Sequence, residues 1–243
     1  MTNFLFRDDA YLKSCDAIVT AIDERGFQTD ATVFYPTGGG QPGDTGRFVL
    51  ESGETVEISD TRKGDGPDGI VHVPAGGSAA LKVGAKGRLD LDWDRRHRLM
   101  RMHTCLHLLS VLVPFPVTGG QVSDGKGRLD FDMADSIPDK DTLTAKLNEL
   151  ITGDHAVTAR WITDEELLNS PDLVKTMAVK PPMGLGRVRL IEVAGLDKPL
   201  DLQACGGTHV GRTGEIGPVA VIKIENKGKQ NRRVNIAFAA QEV

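Results

Sequence analysis

Two pairs of side chains in this sequence have the types and spacing of metal ligands. His103 and His107 lie four residues apart in a stretch without glycine or proline, and residues so spaced share one face of an α-helix. Cys205 and His209 are also four residues apart, but Gly206 and Gly207 between them favour a tight loop. Three imidazoles and one thiolate form a donor set that Zn²⁺ binds tetrahedrally. The sequence therefore predicts a zinc site made of both pairs.

Each pair also has a simpler explanation when it is taken alone. Two histidines on one helical face can be hydrogen-bonded core residues, and a single cysteine is often a small core residue. Cys105 lies on a different helical face and is interpreted as core, and His72, His97 and His155, which have no partner in the sequence, as structural or exposed. Four protein ligands are moreover typical of a closed structural zinc site, whereas catalytic zinc keeps one position open.

Two further segments are rich in glycine and can bring backbone N–H groups close to a ligand. The first contains Gly38, Gly39, Gly40 and Gln41, and the second contains Thr118, Gly119, Gly120 and Gln121. Successive N–H groups of such segments can hold an anion or the 3′ end of a nucleic acid. The alternative interpretation is that both segments are hairpin or bulge turns.

Length and composition indicate a soluble globular protein. The 243 residues are 40% hydrophobic and 26% charged, which suits one large domain or two smaller ones and excludes predominant disorder. Three cysteines indicate a reducing compartment. The chain has neither a long apolar run nor a secretory signal at its start, so we expect a cytoplasmic protein without a membrane partner.

The charge distribution limits how the protein could contact nucleic acid. With 29 basic and 34 acidic residues, the net charge of −5 excludes a protein that coats nucleic acid indiscriminately. One segment is locally basic: Lys223, Lys227, Lys229, Arg232 and Arg233 accompany a single acid, Glu225. This segment is either a local contact surface or a solvated strand and turn.

The predicted secondary structure that positions these residues changes near residue 92, from strands alone to a mixture of helices and strands. Before that point, β-prone runs alternate with Gly and Asp turns, which predicts a small barrel or sandwich. The predicted strands are Ala17–Ala21, Ala31–Tyr35, Arg47–Leu50, Thr55–Ser59, Ile70–Val73 and Arg88–Leu91, with hairpins at Asp23–Gly26 and at Ser52-Gly53.

After that point the sequence predicts a mixture of helices and strands. The clearest helix starts at an N-cap, Asp92 or Asp94, and ends at Leu112, before Pro114. Further helices are predicted at Asp139–Leu150 and Asp164–Leu168, and strands at Arg128–Asp132, Ala156–Ile162, Arg187–Val193, Ile216–Ile224 and Arg233–Ala239. The predicted fold class is α+β, with a β domain at 1–92 and an α+β domain at 93–243.

Four blocks of this sequence, in order, resemble those of free-standing alanyl-tRNA editing proteins of the AlaX family. They are Phe34-Tyr35-Pro36-Thr37-Gly38-Gly39-Gly40-Gln41-Pro42 with Asp44-Thr45-Gly46; Asp92-Trp93 through His103-Thr104-Cys105-Leu106-His107; Cys205-Gly206-Gly207-Thr208-His209 with Thr213-Gly214-Glu215-Ile216-Gly217; and Glu225-Asn226-Lys227-Gly228-Lys229 with Asn231-Arg232-Arg233-Val234. The match spans nearly the whole chain and resembles the medium-length type.

The resemblance implies a small β-barrel followed by an α+β editing domain of the kind shared by alanyl- and threonyl-tRNA synthetases. It also implies zinc held by His103, His107, Cys205 and His209. The implied reaction is hydrolysis of the ester in mischarged Ser-tRNA(Ala), extending to Gly-tRNA(Ala), with the acceptor end of tRNA(Ala) as partner. The threonyl type usually has Arg and Pro at the places of Gly206 and Thr208, so the alanyl type is favoured.

This interpretation assigns further residues to the substrate. Thr104 and Thr118 are candidate partners for the serine hydroxyl, although a helical threonine often bonds to the carbonyl four residues earlier. Gln121 and the segment Gly38, Gly39, Gly40 and Gln41 are candidates for binding the acceptor end, and Lys227, Lys229, Arg232 and Arg233 for tRNA phosphates. Zinc could activate water or hold the α-amino group, and no carboxylate is predicted as general base.

Three other functions remain open at this stage. The chain could be an RNA-binding module with a purely structural zinc, a threonyl-type editing protein, or a zinc hydrolase of another small ester. A ligase is excluded, because 243 residues leave no room for an adenylating domain beside the editing unit. No nucleotide-binding loop is present, so no nucleotide cofactor is expected.

Overall fold

A computed structural model describes residues 2–66, 68–76, 81–133, 139–170, 173–175 and 186–239. The chain divides into two compact units, Met1–His97 and Arg98–Val243. Among the described residues, no helix is both long and apolar enough to cross a membrane. The predicted division into a β domain at 1–92 and an α+β domain at 93–243 stays a prediction.

The first unit is built on a closed barrel. The strands of this unit are β1 (Asn3–Phe4), β2 (Ser14–Asp23), β3 (Gly26–Thr29), β4 (Ala31–Thr32), β5 (Gly46–Leu50), β6 (Thr55–Lys63), β7 (Ile70–Pro74) and β8 (Lys86–Leu91). Helix α1 (Leu5–Asp8) follows β1. The barrel order is β2-β3-β7-β6-β5-β8, and β1 pairs in parallel with β4. The predicted β-barrel is therefore confirmed. Closure pairs the sheet edges that an open sheet would leave exposed.

Apolar side chains fill the barrel. Phe27, Phe34, Phe48 and Leu89 are completely buried, and the rings of Phe27 and Phe48 lie with centroids 5.5 Å apart. Exposed and buried residues alternate along β6, as expected for a strand with one face on a core. The hydrophobic contacts of this interior hold the small sheet together.

One predicted hairpin has a different second strand. The turn at Asp23–Gly26 is present, but β2 pairs with β3, whereas the predicted run Ala31–Tyr35 forms only β4. Gly26 has a φ of +145°, and a Cβ built there would lie 2.1 Å from the carbonyl oxygen of His72. The close approach of β7 therefore requires glycine here, and this long-range contact was invisible to a local strand pattern.

A buried ion pair fixes the glycine-rich segment of the first unit. Arg96 and Asp44 are 0% and 1% exposed, and the guanidinium Nε lies 2.9 Å from Oδ2 of Asp44. Arg96 also donates to the carbonyl oxygens of Ala10 and Val33, and Asp44 accepts from the backbone N–H of Tyr35. Because each charge is buried, removing either partner would leave the other uncompensated.

The second unit combines helices with two antiparallel sheets. Helix α2 (Trp93–Leu112) begins in the first unit; then come β9 (Val117–Ser123), β10 (Lys126–Asp132), α3 (Lys140–Thr152), β11 (Val157–Thr163), α4 (Asp164–Leu168), β12 (Arg187–Val193), β13 (Asp201–Ala204), a 3₁₀ turn (Thr213–Ile216), β14 (Val219–Asn226) and β15 (Asn231–Phe238). The sheet orders are β14-β15-β10-β9 and β11-β12-β13.

The predicted elements of this unit are largely confirmed, with shifted ends. Asp92 caps α2 by accepting from the backbone N–H of Arg95 at 3.2 Å. A capping box between Thr163 and Glu166 starts α4 at the predicted residue. The predicted strand Ile216–Ile224 starts later, because Ile216 belongs to the 3₁₀ turn. Strands β9 and β13 were not predicted.

Candidate metal centre

Helix α2 brings His103 and His107 to one buried face. Their side chains sit one turn apart, with ring centroids separated by 5.3 Å, and the two residues are 8% and 6% exposed. Apolar neighbours along the helix are completely buried, including Cys105, which confirms its interpretation as a core residue. A helix buried on most sides holds its polar side chains in a fixed, dry environment.

The second pair is carried by the loop that follows β13. Cys205 comes directly after the strand, and its backbone N–H donates to the carbonyl of Arg189 on β12 at 3.1 Å. The buried Arg189 guanidinium in turn donates to the carbonyls of Gly207, at 2.8 Å, and Cys205, at 3.3 Å. Gly206 borders open space, since a Cβ there would meet no atom within 4 Å. Arg189 thus shapes the loop that carries Cys205.

The two pairs meet in one cluster. One ligand atom from each of His103, His107, Cys205 and His209 lies within 4.8 Å of all the others. Sγ of Cys205 is 3.6 Å from Nε2 of His103 and 3.3 Å from Nε2 of His209. In a tetrahedral zinc site with Zn–N of roughly 2.1 Å and Zn–S of roughly 2.3 Å, nitrogen and sulfur lie about 3.6 Å apart. The donor chemistry and these distances fit Zn²⁺.

The electrostatics of the cluster favour a thiolate. Burial raises the pKa of Cys205, but the neighbouring imidazoles, with His103 contributing most, outweigh it and hold that pKa well below its usual value. Burial, with His103 nearby, lowers the pKa of His209 well below its ordinary value. Burial also lowers the pKa of His107, but hydrogen bonds to Asp201 and Cys205 raise it to about 9. A metal binds a thiolate and neutral imidazoles, so binding at this cluster would displace the proton that His107 holds at neutral pH.

Several residues around the cluster were not found from the sequence. Nδ1 of His107 lies 2.9 Å from Oδ2 of Asp201, which also accepts from Gln203 and pairs with Lys175. Burial raises the pKa of Asp201, but the hydrogen bond to His107 outweighs it and lowers the pKa to about 2. The sequence signal was an acid four residues before Cys205, which gains meaning only from the pairing of β13 with β12.

Thr104 is placed differently from its predicted role at a serine hydroxyl. It is completely buried, and its hydroxyl donates to the carbonyl of Met100 at 3.0 Å, which confirms the alternative interpretation for a helical threonine. The same oxygen lies 3.1 Å from Nδ1 of His209. A contact to substrate would require this arrangement to open.

The segment with Thr118 and Gln121 is strand β9 on the edge of a sheet. It is not a hairpin turn, but the predicted bulge is present, since Gly119 pairs with Asp130 and Val117 with Phe131, which leaves Thr118 as the extra residue. Pairing with β10 overrides the turn preference of the two glycines, although the register shifts between Asp130 and Phe131. Thr118 donates to the carbonyl of Asp130 and accepts from Asn231. Gln121 is exposed and accepts from Arg128. Their substrate roles stay predictions.

The other glycine-rich segment, in the first unit, is a tight turn. Gly38 and Gln41 exchange two backbone hydrogen bonds of 3.0 Å, and Gly39 and Gly40 have φ values of +56° and +82°. These positive angles at both central positions favour glycine. The turn interpretation is confirmed, and the predicted binding of an acceptor end by these residues remains a prediction.

The basic segment is partly neutralised by its neighbours. Arg233 makes two hydrogen bonds, of 2.7 and 2.8 Å, with Asp130, and Lys227 pairs with Glu225 at 3.4 Å. Arg232 donates to nearby backbone carbonyls, and Lys229 is exposed in the turn between β14 and β15. The predicted phosphate contacts are therefore unequal in the charge they present.

The family and the relatives that this chain matches agree with one another. Residues 188–235 match the family described as the threonyl and alanyl tRNA synthetase second additional domain. The alanyl-tRNA editing protein AlaX-M of Methanosarcina acetivorans is 37% identical over 96% of this chain and 98% of its own length, and that of Saccharolobus solfataricus is 35% identical over the same shares.

A longer relative shows where the similarity stops. The alanine–tRNA ligase of Saccharolobus islandicus is 32% identical over 92% of this chain, but the match covers 25% of the ligase. The resemblance inferred from the four sequence blocks is confirmed by the full-length relatives. The chain belongs to the AlaX-M family of alanyl-tRNA editing proteins.

Proposed function

We propose that this protein is a zinc-dependent hydrolase that deacylates mischarged tRNA(Ala), chiefly Ser-tRNA(Ala) and also Gly-tRNA(Ala). The observation that carries the proposal is the cluster of His103, His107, Cys205 and His209, whose ligand atoms lie within 4.8 Å of one another in a member of an alanyl-tRNA editing family. When bound by these four residues, zinc would supply Lewis acidity at the aminoacyl ester.

The chain's own residues would arrange the substrate around this cluster. Arg189 holds the loop of Cys205 in place, so the thiol would keep its position when an aminoacyl group binds. Lys227, Lys229 and Arg232 would contact phosphates of the acceptor end. The segment Gly38, Gly39, Gly40 and Gln41 of the first unit is a separate candidate contact for tRNA, through the N–H groups of Gly39 and Gly40, because those of Gly38 and Gln41 donate to each other's carbonyls.

Selection of serine over alanine needs a partner for one hydroxyl group. A site that hydrogen-bonds a hydroxyl rejects a substrate without it by ~10⁴-fold or more. Thr118, half-buried and close to Asn231, is our candidate, with Gln121 on the same strand. Glycine lacks this hydroxyl too, so hydrolysis of Gly-tRNA(Ala) would require that the site also disfavour the methyl group of alanine.

Deacylation of Ser-, Gly- and Ala-tRNA(Ala) tests the proposal directly. We expect Ser- and Gly-tRNA(Ala) to be hydrolysed and Ala-tRNA(Ala) to be spared, with activity lost in a chelator and restored by zinc. Thr118→Val should reduce the preference for serine over alanine, and Thr158→Val, on an exposed position of β11, is the matched control. Full activity of thoroughly metal-depleted protein would reject zinc dependence.

The four-ligand donor set also favours a second candidate, an RNA-binding module with a closed structural zinc. That candidate predicts that Cys205→Ser unfolds the second unit and that the protein binds tRNA(Ala) without deacylating it. The editing hydrolase predicts a folded Cys205→Ser protein with lost deacylation. Circular dichroism together with the deacylation assay distinguishes these two candidates.

A further inference from the structure

Two buried polar residues contact the histidines of the cluster from its outer side. Thr104 meets His209, and Asp201 meets His107, in both cases at Nδ1. The residues are 0% and 1% exposed, so water is excluded as a competing partner. A hydrogen bond at one ring nitrogen determines whether the other carries a proton. These contacts therefore bear on which nitrogen each histidine offers to a metal.

The partners of Thr104 leave one assignment for His209. A threonine hydroxyl has one proton to donate and two lone pairs to accept with. The proton goes to the carbonyl of Met100 at 3.0 Å, because a carbonyl only accepts, and the backbone N–H of Val210 donates to the hydroxyl at 3.3 Å. The remaining contact, 3.1 Å from Nδ1 of His209, must be donated by the ring. Neutral His209 then carries its proton on Nδ1, and Nε2 is bare.

The partners of Asp201 lead to the same assignment for His107. Lys175 and Gln203 both donate to the Asp201 side chain, and a carboxylate surrounded by donors accepts only. Nδ1 of His107, 2.9 Å from Oδ2, is therefore the donor. In the neutral ring this leaves Nε2, on the opposite side of the imidazole, without a proton.

We propose that Thr104 and Asp201 are positioning residues, which hold His209 and His107 in the Nδ1–H tautomer so that each offers a bare Nε2 to the metal. Nε2 of His209 is the atom that lies 3.3 Å from Sγ of Cys205, which agrees with this orientation. The inference rests on the proposed zinc site, and it gives Thr104 a role on the cluster instead of a contact with the serine hydroxyl.

Zinc affinity of the whole protein, measured by competition with a chromophoric chelator, tests the inference. Loss of a partner to a metal-binding histidine typically costs 10–100-fold in metal affinity. We expect such a loss for Thr104→Val and for Asp201→Asn, whose amide can turn its NH₂ toward the ring. Thr104→Ser keeps the hydroxyl and should stay within a few-fold of the wild type, as should the control Thr142→Val on α3.

A second measurement does not depend on how the variants fold. Long-range ¹H–¹⁵N correlations of the zinc-loaded wild type distinguish the two tautomers, and we expect Nδ1–H for both His107 and His209. Wild-type affinity in both Thr104→Val and Asp201→Asn, or an Nε2–H tautomer at either ring, overturns the inference while the proposed function stands. A wild-type protein that binds no zinc overturns the zinc site and this inference together.

Discussion

Both units of the molecule bury histidines, but the ring nitrogens meet different partners. In the barrel, Nε2 of His72 accepts from the hydroxyl of Thr32 at 2.9 Å, and Nδ1 faces the carbonyl of Phe27 at 3.3 Å. Protein groups thus occupy both sides of the His72 ring. In the second unit, the rings of His103 and His209 lie with centroids 4.3 Å apart, and their Nε2 atoms point at the same thiol.

Burial alone does not distinguish a core histidine from a candidate metal ligand. His72 is 0% exposed and His209 is 5% exposed, so their solvent accessibility is almost the same. The difference lies in the partners: the His72 nitrogens meet two oxygen atoms of the barrel, whereas Nε2 of His103 and Nε2 of His209 meet the same thiol. Imidazole nitrogens that converge on one thiol form a donor set that suits a metal ion such as Zn²⁺.

The largest expected effect separates the two kinds of histidine by metal content. His103→Ala removes one of four ligands and should lower bound zinc, measured by mass spectrometry after dialysis, together with deacylation by more than about 100-fold. His72→Gln should keep one zinc per chain, because its ring lies among barrel groups. Equal zinc content in both variants would contradict the distinction.

A smaller effect is expected from pH on the barrel. Burial lowers the pKa of His72 to about 4, whereas an unfolded histidine titrates near 6.5. Between these values the unfolded chain binds a proton that the folded chain does not, so the free energy of unfolding falls as pH falls. The loss should approach about 3 kcal/mol by pH 4.

Denaturant unfolding of the wild type and His72→Gln, between pH 7 and pH 4 with zinc saturating, measures this effect. The difference between the two proteins isolates His72 from carboxylates that titrate in the same range. A wild type that loses stability no faster than His72→Gln over this interval would show that His72 is solvated in solution.

The smallest expected effect concerns the basic surface of the second unit. Lys229→Ala should reduce the slope of log affinity for tRNA(Ala) against log salt by ~1, since a free charge at a phosphate releases about one counterion. Arg233→Ala should change the slope less, because Asp130 already neutralises that guanidinium. Lys86→Ala on the barrel is the matched control, and equal slopes for all three variants would remove the proposed patch.

Much of the fold could be predicted because its signals are local. Helix α2 has a capping aspartate, no internal glycine or proline and a proline shortly after its end. Strand β9 was missed because Gly119 and Gly120 favour a turn, and only pairing with β10 shows that they lie in a strand. Strand β3 was missed because its four residues gain their place from β2 and β7.

The four clustered side chains could be chosen from the sequence, since two short motifs contain them. Their surroundings could not, because Asp201 and Arg189 reach the cluster through the pairing of β12 with β13. Thr104 could be chosen from the sequence because it lies beside His103. Its hydrogen-bond partners His209 and Val210 could not, because they are more than 100 residues away in the chain.

The hydrogen bonds from Arg189 to the cysteine loop bear on how the cluster would bind and release a metal ion. The bonds to the carbonyls of Cys205 and Gly207 involve protein groups alone, so they would shape the loop before a cation binds. Metal binding would then require little folding of this loop. A preformed site of this kind would release zinc to a chelator and regain deacylation activity when zinc is added back.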